Sequence, residues 1–234
     1  MGLNQAMHDI RSASGAKAAS VTSWNQRVFA AILSALATFS LAFSLTSSQS
    51  AWSASVHIDA ILNDPEAPVA GDPKGDVTIV AFLDYNCPFC KRATPDLDKF
   101  VQTDGNVRLV YKDWPILTEA SVYGAKLALA AKYQGKYDMA HAALMAIPGR
   151  AISEETMLEA VRASGLDMSR LDADSKVHAS DIAALLKRNL ARADSLGLQG
   201  TPVFLIGPFK VAAALDYDGF AKTVAGVRAS VVGK

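Results

Sequence analysis

Two cysteines three positions apart carry the clearest chemical signal in this chain. Cys87 and Cys90 are its only cysteines among 234 residues, and they stand in the sequence Cys-Pro-Phe-Cys. A disulfide between them closes a loop too short to remove much entropy from the unfolded chain, so it is poorly suited to stapling a fold. The pair therefore indicates redox chemistry, in which one sulfur attacks as a thiolate and the other closes or resolves a disulfide.

The residues around the pair predict a lowered pKa for the first sulfur. An apolar run over residues 77–83 predicts a strand covered on both faces, and a helix is predicted to follow Cys87 directly. Unpaired backbone N–H groups and the positive end of a helix dipole then face the Cys87 sulfur and stabilise its thiolate. Pro88 suits the first helical turn because its missing N–H would have no partner there. Pro88 and Phe89, which lie between the cysteines, are the predicted modulators of the pair.

Three other uses of the cysteine pair remain as alternatives. The pair could be half of a zinc site, but tetrahedral zinc takes four ligands. The three histidines beyond residue 50 are His57, His141 and His178, and none has zinc-motif spacing to the cysteines. We therefore predict no metal site. An inert structural disulfide and a copper-handling thiol pair are the remaining alternatives.

The elements that must position the pair follow from the hydrophobic pattern. After the first strand and its helix, a second strand is predicted at 107–111, followed by a long helical stretch, two short strands and a last helix from about 217 to 231. This order predicts an α/β fold, a mixed sheet flanked by helices with an inserted all-helical subdomain. The expected segments are a lead-in at 54–75, a sheet-containing domain at 76–117 and 198–234, and the helical subdomain at 118–197.

A second candidate feature lies at the start of a later strand. Gly200, Thr201 and Pro202 precede an apolar run at 203–206, about 110 residues after Cys90. Proline is tolerated at the first residue of a strand, and a cis X-Pro bond there would be a specific feature. Thr-Pro is a weak signal alone, and it gains weight only beside the cysteine pair.

The N-terminal region has the layout of an export signal. Residues 28–45 are apolar or small, they follow Arg27, and no charged residue occurs from 28 to 58. Small residues at 51–53 suit cleavage after Ser53, so residues 1–53 are predicted to be a cleaved signal peptide or a retained membrane anchor. The predicted location is the periplasm or cell envelope. The formal net charge is zero, and no basic face indicates nucleic-acid binding.

Taken together, these motifs resemble the DsbA-like thioredoxin-fold proteins of bacterial envelopes. The resemblance rests on residues 77–90 (VTIVAFLDYNCPFC), 107–115 (VRLVYKDWP), 200–206 (GTPVFLI) and the closing helix, and it covers nearly all of 65–231. It implies a thioredoxin-like sheet with the family's inserted helical domain over the active-site face. It also implies that Cys87 is the exposed attacking cysteine, Cys90 the buried resolving one, and Pro202 a cis-proline facing them. Thr201 would offer backbone groups to a substrate chain, as an added strand does.

Two departures from the family pattern bear on activity. Family members often carry a buried glutamate, thought to assist proton transfer at the buried cysteine, where this chain has Ala81. Asp84 and Asp113 are candidate substitutes, although both could be ordinary strand-end charges. Phe89 stands where the best-known oxidases have a histidine that stabilises the thiolate. We therefore expect a less acidic Cys87, and a less oxidising disulfide, than in those members.

The resemblance implies a thiol–disulfide oxidoreductase that acts on exported proteins with free thiols. We expect a monomeric disulfide oxidase without a cofactor, reoxidised by an unidentified membrane partner. The short stretch between the signal and the first core strand leaves no room for the dimerisation domain that related isomerases carry. A reductase or isomerase remains an alternative because Thr201 is a residue often found in isomerases at that position. A non-catalytic chaperone or copper-handling module is a second alternative, which Ala81 keeps open.

Overall fold

The computed structural model describes residues 58–232. The predicted signal or anchor at 1–53 lies outside the described residues. Within the described part, no helix is long and apolar enough to cross a membrane.

A five-stranded mixed sheet forms the centre of the protein. Its strands are β1 (Val69–Gly71), β2 (Val77–Leu83), β3 (Val107–Asp113), β4 (Val203–Ile206) and β5 (Phe209–Val211). In space they follow the order β1-β3-β2-β4-β5. β2 runs parallel to β3, whereas its other neighbour, β4, is antiparallel to it. The predicted central strand at 77–83 is therefore β2, and the predicted apolar run reflects its position in the middle of the sheet.

The parallel pairing fixes where the chemistry lies. Leu83 pairs with Asp113, so the parallel strands β2 and β3 have their carboxyl-terminal ends side by side. The chain continues from β2 into Cys87 and from β3 into the loop at 114–118. Because the two connections leave from neighbouring positions, the cysteine motif and this loop lie side by side.

Helices cover both faces of the sheet. They are α1 (Pro88–Asp104), α2 (Glu119–Lys132), α3 (Tyr137–Met145), α4 (Glu154–Ala163), α5 (Met168–Val177), α6 (Ala179–Ser195) and α7 (Tyr217–Val232). Helices α2 to α6 arise between β3 and β4, as the predicted helical insertion requires. Ser153 accepts a hydrogen bond from the Thr156 backbone at the start of α4, which is the N-cap expected from the sequence.

Two apolar cores lie on opposite faces of the sheet. The larger contains Ile79 and Leu109 and packs against α1, α7 and most of the insertion. The smaller contains Phe82 and Trp114, against which Ala193 of α6 packs. Both faces of β2 are therefore buried, which explains why its sequence is apolar almost throughout.

The structure adds two elements to those the sequence named. β1 lies within the turn-rich lead-in and pairs with β3 at the sheet edge, where three residues suffice to form a strand. α5 is a separate short helix whose only buried apolar residue is Leu171, so its periodic signal is weak. Strand β3 continues two residues beyond the predicted end. The boundaries proposed for the domains stay a prediction.

Candidate functional site

Cys87 is the residue that caps the start of α1. Its sulfur accepts a hydrogen bond from the Cys90 backbone N–H at a distance of 3.4 Å from Sγ to N. Pro88 occupies the first helical position, as expected for a residue that has no N–H to leave unpaired. The sulfur also lies 3.2 Å from the Thr201 carbonyl oxygen, to which the thiol donates.

The surroundings of Cys87 favour its thiolate. The pKa of Cys87 is lowered from 9.0 to about 6 against the opposing effect of burial, and a hydrogen bond from the Cys90 thiol is the largest cause. The Thr201 side chain and the backbone N–H groups of Phe89 and Cys90 contribute to the same shift. The Thr201 hydroxyl is buried and has no hydrogen-bond partner while the Cys87 thiol is neutral. It can therefore donate to the sulfur once the thiol ionises.

Cys90 has the opposite electrostatic setting. It lies at 0% exposure within the larger core, and this burial, followed by the nearby Cys87 sulfur, raises the pKa of its thiol far above the ordinary value. Two neighbouring sulfurs that share a site in this way separate into a thiolate and a neutral thiol. At neutral pH Cys87 is therefore mostly thiolate, and Cys90 retains its proton.

One expectation about Cys87 is wrong. The family resemblance implied an exposed sulfur, but the residue is only 2% exposed in this reduced structure. The Thr201 carbonyl rests against the sulfur and contributes to covering it. The exposed members of the motif are instead Pro88 and Phe89, the latter at 52%.

The predicted substrate-binding residues lie directly beside Cys87. The peptide bond between Thr201 and Pro202 is cis. Both residues line a groove of about 590 Å³ that also contains Phe89, Arg92 and Lys210. The Arg92 guanidinium lies 4.8 Å from the centre of the Phe89 ring, a distance typical of a cation–π contact. The sequence thus brings all six predicted site residues to one place.

Asp84 anchors the loops around the cysteines, a function that the sequence analysis did not assign to it. Its buried carboxylate accepts hydrogen bonds from the backbone N–H groups of Asn86, Ile116 and Leu117 at 2.7, 2.8 and 3.0 Å. The Ser121 hydroxyl of α2 donates a fourth, at 2.7 Å. One side chain thus joins the end of β2, the loop after β3 and the helical insertion.

Asn86 extends this anchor to a second loop of the insertion. Its side-chain oxygen accepts from the Ile152 backbone N–H at 2.7 Å, and its amide donates to the Ile152 carbonyl at 3.3 Å. The same amide donates to the Thr118 hydroxyl at 2.8 Å. Polar residues just before a cysteine motif were the available signal, but sequence spacing cannot show which distant backbone groups they meet.

The second candidate acid, Asp113, belongs to a buried polar cluster. Its carboxylate accepts hydrogen bonds from the hydroxyls of Tyr85 at 2.9 Å and of Tyr137 at 3.1 Å. The Tyr85 oxygen also lies 3.0 Å from Nδ1 of His141. Burial raises the pKa of Asp113 to about 7 and lowers that of His141 to about 3. This cluster ties β3 to α3.

Ala81 lies in β2 at 0% exposure, and its partner in the parallel ladder is Tyr111 of β3. The position that would hold the family's glutamate is thus filled by a methyl group facing an aromatic side chain. Among residues 58–232, no group of three or more His, Cys, Asp or Glu side chains is arranged to hold a metal ion.

Residues 63–225 match a protein family described as Thioredoxin. Among curated proteins, the chain is 31% identical over 147 residues to a protein named Na(+)/H(+) antiporter NhaA 1 from Mycobacterium sp. (strain KMS). That match covers 61% of this chain and 24% of the antiporter. The chain therefore spans about a quarter of the length of the curated relatives it matches.

Several solved structures share the fold. A thioredoxin-like oxidoreductase from Silicibacter pomeroyi DSS-3 is 43% identical with a TM-score of 0.68, covering 73% of this chain and 96% of that one. The thiol-disulfide exchange protein alpha-DsbA2 from Wolbachia pipientis is 31% identical with a TM-score of 0.69, covering 74% and 92%. The catalytic domain of Proteus mirabilis ScsC is 27% identical with a TM-score of 0.64, covering 75% and 96%. These similarities confirm the predicted mixed-sheet fold.

Proposed function

The chain belongs to the thioredoxin family that it matches over residues 63–225, and from this premise we propose that it is a thiol–disulfide oxidoreductase of the DsbA-like type. The observation that carries the proposal is the contrast between the two sulfurs. Cys87 has a pKa lowered to about 6 at a helix start, while Cys90 is buried beside it with a raised pKa. The resemblance expected from the sequence is confirmed by the oxidoreductases among the similar structures.

The proposed reaction oxidises a pair of substrate thiols. A substrate thiolate attacks Cys87 of the Cys87–Cys90 disulfide, and the bond to Cys90 breaks. Cys90 takes up a proton, as its raised pKa requires. The second substrate thiolate then attacks the mixed disulfide and releases Cys87. Two electrons pass from the substrate to the protein, and a membrane partner that accepts them restores the disulfide.

The low pKa of Cys87 gives the reaction its direction. A sulfur that is stable as a thiolate is a good leaving group, so release of Cys87 from the mixed disulfide is fast. Stabilising the thiolate also stabilises the reduced protein, which makes the disulfide a stronger oxidant. These two effects favour an oxidase. Thr201, which contacts the Cys87 sulfur, is the residue that favours reductase or isomerase activity as a second candidate.

We place the substrate chain along the groove beside Pro202. The Thr201 carbonyl lies against Cys87, so a chain that pairs with the backbone there brings its own cysteine to the sulfur. The exposed Phe89 ring offers an apolar contact in the same groove. The proposed substrates are exported proteins with free thiols, and the proposed active form is a monomer in the periplasm or cell envelope. A similar structure is described as a periplasmic thioredoxin-like protein from Salmonella enterica serovar Typhimurium.

Serine variants of the two cysteines test the proposal. Oxidised protein is mixed with a reduced, unfolded protein substrate, and the loss of substrate thiols is followed over time. We expect Cys87→Ser to abolish oxidation, and Cys90→Ser to accumulate mixed disulfides that non-reducing gels resolve. If both variants oxidise the substrate at the wild-type rate, the mechanism is refuted. Copper binding by the reduced protein without any thiol oxidation would favour the binding-module alternative instead.

A further inference from the structure

A second groove leads away from the cysteine motif on the side of the helical insertion. It has a volume of about 510 Å³ and lies between α1 and the end of α3 with the loop that follows. Pro88, next to Cys87, forms one end of its wall, and Asp98 lies ten residues further along α1. The groove is thus distinct from the one beside Pro202, although Arg92 lines both.

The charges along this groove are segregated. Lys91 and Arg92 lie at the end near Cys87, whereas Asp98 lines the far end. An adjoining cavity of about 300 Å³ shares Asp98 with the groove and adds a second carboxylate, Asp138 of α3. The groove therefore has a cationic end at the nucleophile and an anionic end about two helical turns away.

The charges of this groove have neutral partners in place of salt bridges: Asp98 accepts a hydrogen bond from the Tyr111 hydroxyl, and Arg92 lies over an aromatic ring. None of them forms an ion pair within the part of the chain that the structure describes. The Lys91 Nζ has the Gly149 carbonyl as a neutral partner at 3.3 Å. Burial raises the pKa of Asp98 to about 6 and lowers the pKa of Lys91. Lys91 and Asp98 are partly buried without an ion-pair partner, which is unfavourable, so a ligand that supplies the opposite charges is stabilised.

We propose that this groove selects substrate segments with an acidic residue next to the reacting cysteine and a basic residue about three positions further on. Seven residues of α1 separate Lys91 from Asp98 and span about 10 Å at 1.5 Å per residue. An extended chain covers that distance in about three residues. The inference rests on the proposed function because it describes how a substrate bonded to Cys87 is recognised.

Peptides with exchanged charges separate this effect from net charge. Each peptide has a reacting cysteine, a charged arm and, beyond a Gly-Ser linker on the other side, a second cysteine. In one peptide the arm has glutamate next to the reacting cysteine and lysine three positions away, and in the other the two charges are exchanged. Both peptides are made in two versions, with the arm before or after the reacting cysteine. For each peptide, the kcat/KM for oxidation by the wild-type protein is divided by the rate constant for its uncatalysed oxidation by hydroxyethyl disulfide. This ratio removes differences in the intrinsic reactivity of the peptide thiols.

In one of the two arm directions, we expect the glutamate-near peptide to react about fivefold faster or more at low salt, a size that a few partly exposed charge pairs supply. The double variant Lys91→Gln with Asp98→Asn removes one charge at each end of the groove and should lower that ratio at least twofold. Lys99→Gln is the matched control because Lys99 lies on the same helix against Tyr217, outside the groove. It should leave the ratio unchanged.

The outcomes distinguish the two proposals. If all four peptides are oxidised at equal normalised rates, or if the double variant keeps the wild-type ratio, the groove does not select charge and the inference is overturned. If no peptide is oxidised at all, the proposed function fails before the groove is tested.

Discussion

Replacing Cys90 by alanine should raise the pKa of Cys87. The Cys90 thiol is the largest single cause of the lowered pKa, because it donates a hydrogen bond to the Cys87 sulfur. Alanine removes that donor but keeps the backbone N–H of residue 90, which lies 3.4 Å from the sulfur. The variant therefore separates the contribution of the neighbouring thiol from that of the helix start.

The size of the effect follows from the two limiting values. With a pKa of about 6, roughly nine tenths of Cys87 is thiolate at pH 7, whereas the unperturbed value of 9.0 leaves about one hundredth. The alanine variant loses the leading cause and keeps the donors at the helix start and at Thr201. We expect its pKa between those limits and at least one unit above wild type, which lowers the thiolate fraction at acidic pH about tenfold.

Thiolate absorbance at 240 nm and the rate of alkylation by iodoacetamide, both measured from pH 4 to 10, report this pKa. Cys90→Ser is the matched control because its hydroxyl can still donate to the sulfur, so its pKa should lie below that of the alanine variant. A wild-type midpoint near 9 would refute the argument for thiolate stabilisation at the helix start. An unchanged midpoint in Cys90→Ala would show that the neighbouring thiol is not the leading cause.

Three further predictions concern the surroundings of the pair. Asp84→Ala should lower the free energy of unfolding by about 3 kcal/mol or more in urea titrations, since it leaves four donors without their acceptor. Tyr85→Phe should cost about 1–3 kcal/mol by the same measurement, because it removes the hydroxyl shared by Asp113 and His141. In the reduced protein, the pKa of Cys87 is lower in the folded than in the unfolded state, so its contribution to stability is complete above pH 9 and is lost as the pH falls through 6. The melting temperature of reduced wild type relative to Cys87→Ser should therefore rise between pH 6 and 9, and a constant difference would contradict this linkage.

The sequence predicted the elements that carry strong, regular patterns. The apolar run of β2 and the proline at the first position of α1 both reflect local constraints, namely burial on two faces and the missing N–H. By contrast, β1 forms because it meets an open edge of β3. Its three residues have no pattern of their own, so only the tertiary pairing could reveal it.

The candidate site shows the same limit at the level of side chains. Spacing placed Cys87 and Cys90 together because the two are neighbours along one helical turn. It could not show that Asp84 gathers donors from residues 116, 117 and 121, or that Asn86 bonds to the backbone of Ile152. Those contacts join parts of the chain separated by 32 to 66 positions, and they depend on how the insertion folds back over the sheet edge.

Phe89 and Ala81 together indicate how this site stabilises its thiolate. Neither residue can supply a charge, yet the pKa of Cys87 is lowered to about 6. The stabilising groups are the Cys90 thiol, the Thr201 side chain and backbone N–H groups, all of which are fixed by the fold itself. Since the side chain at position 89 is not among the groups that stabilise the thiolate, its ring is free to lie beside Arg92 in the groove where we place the substrate, where the residue is 52% exposed. The acidity of the nucleophile and the recognition of the substrate are therefore carried by different groups of the same motif, so that substitutions at Phe89 should alter substrate preference more than the pKa of Cys87.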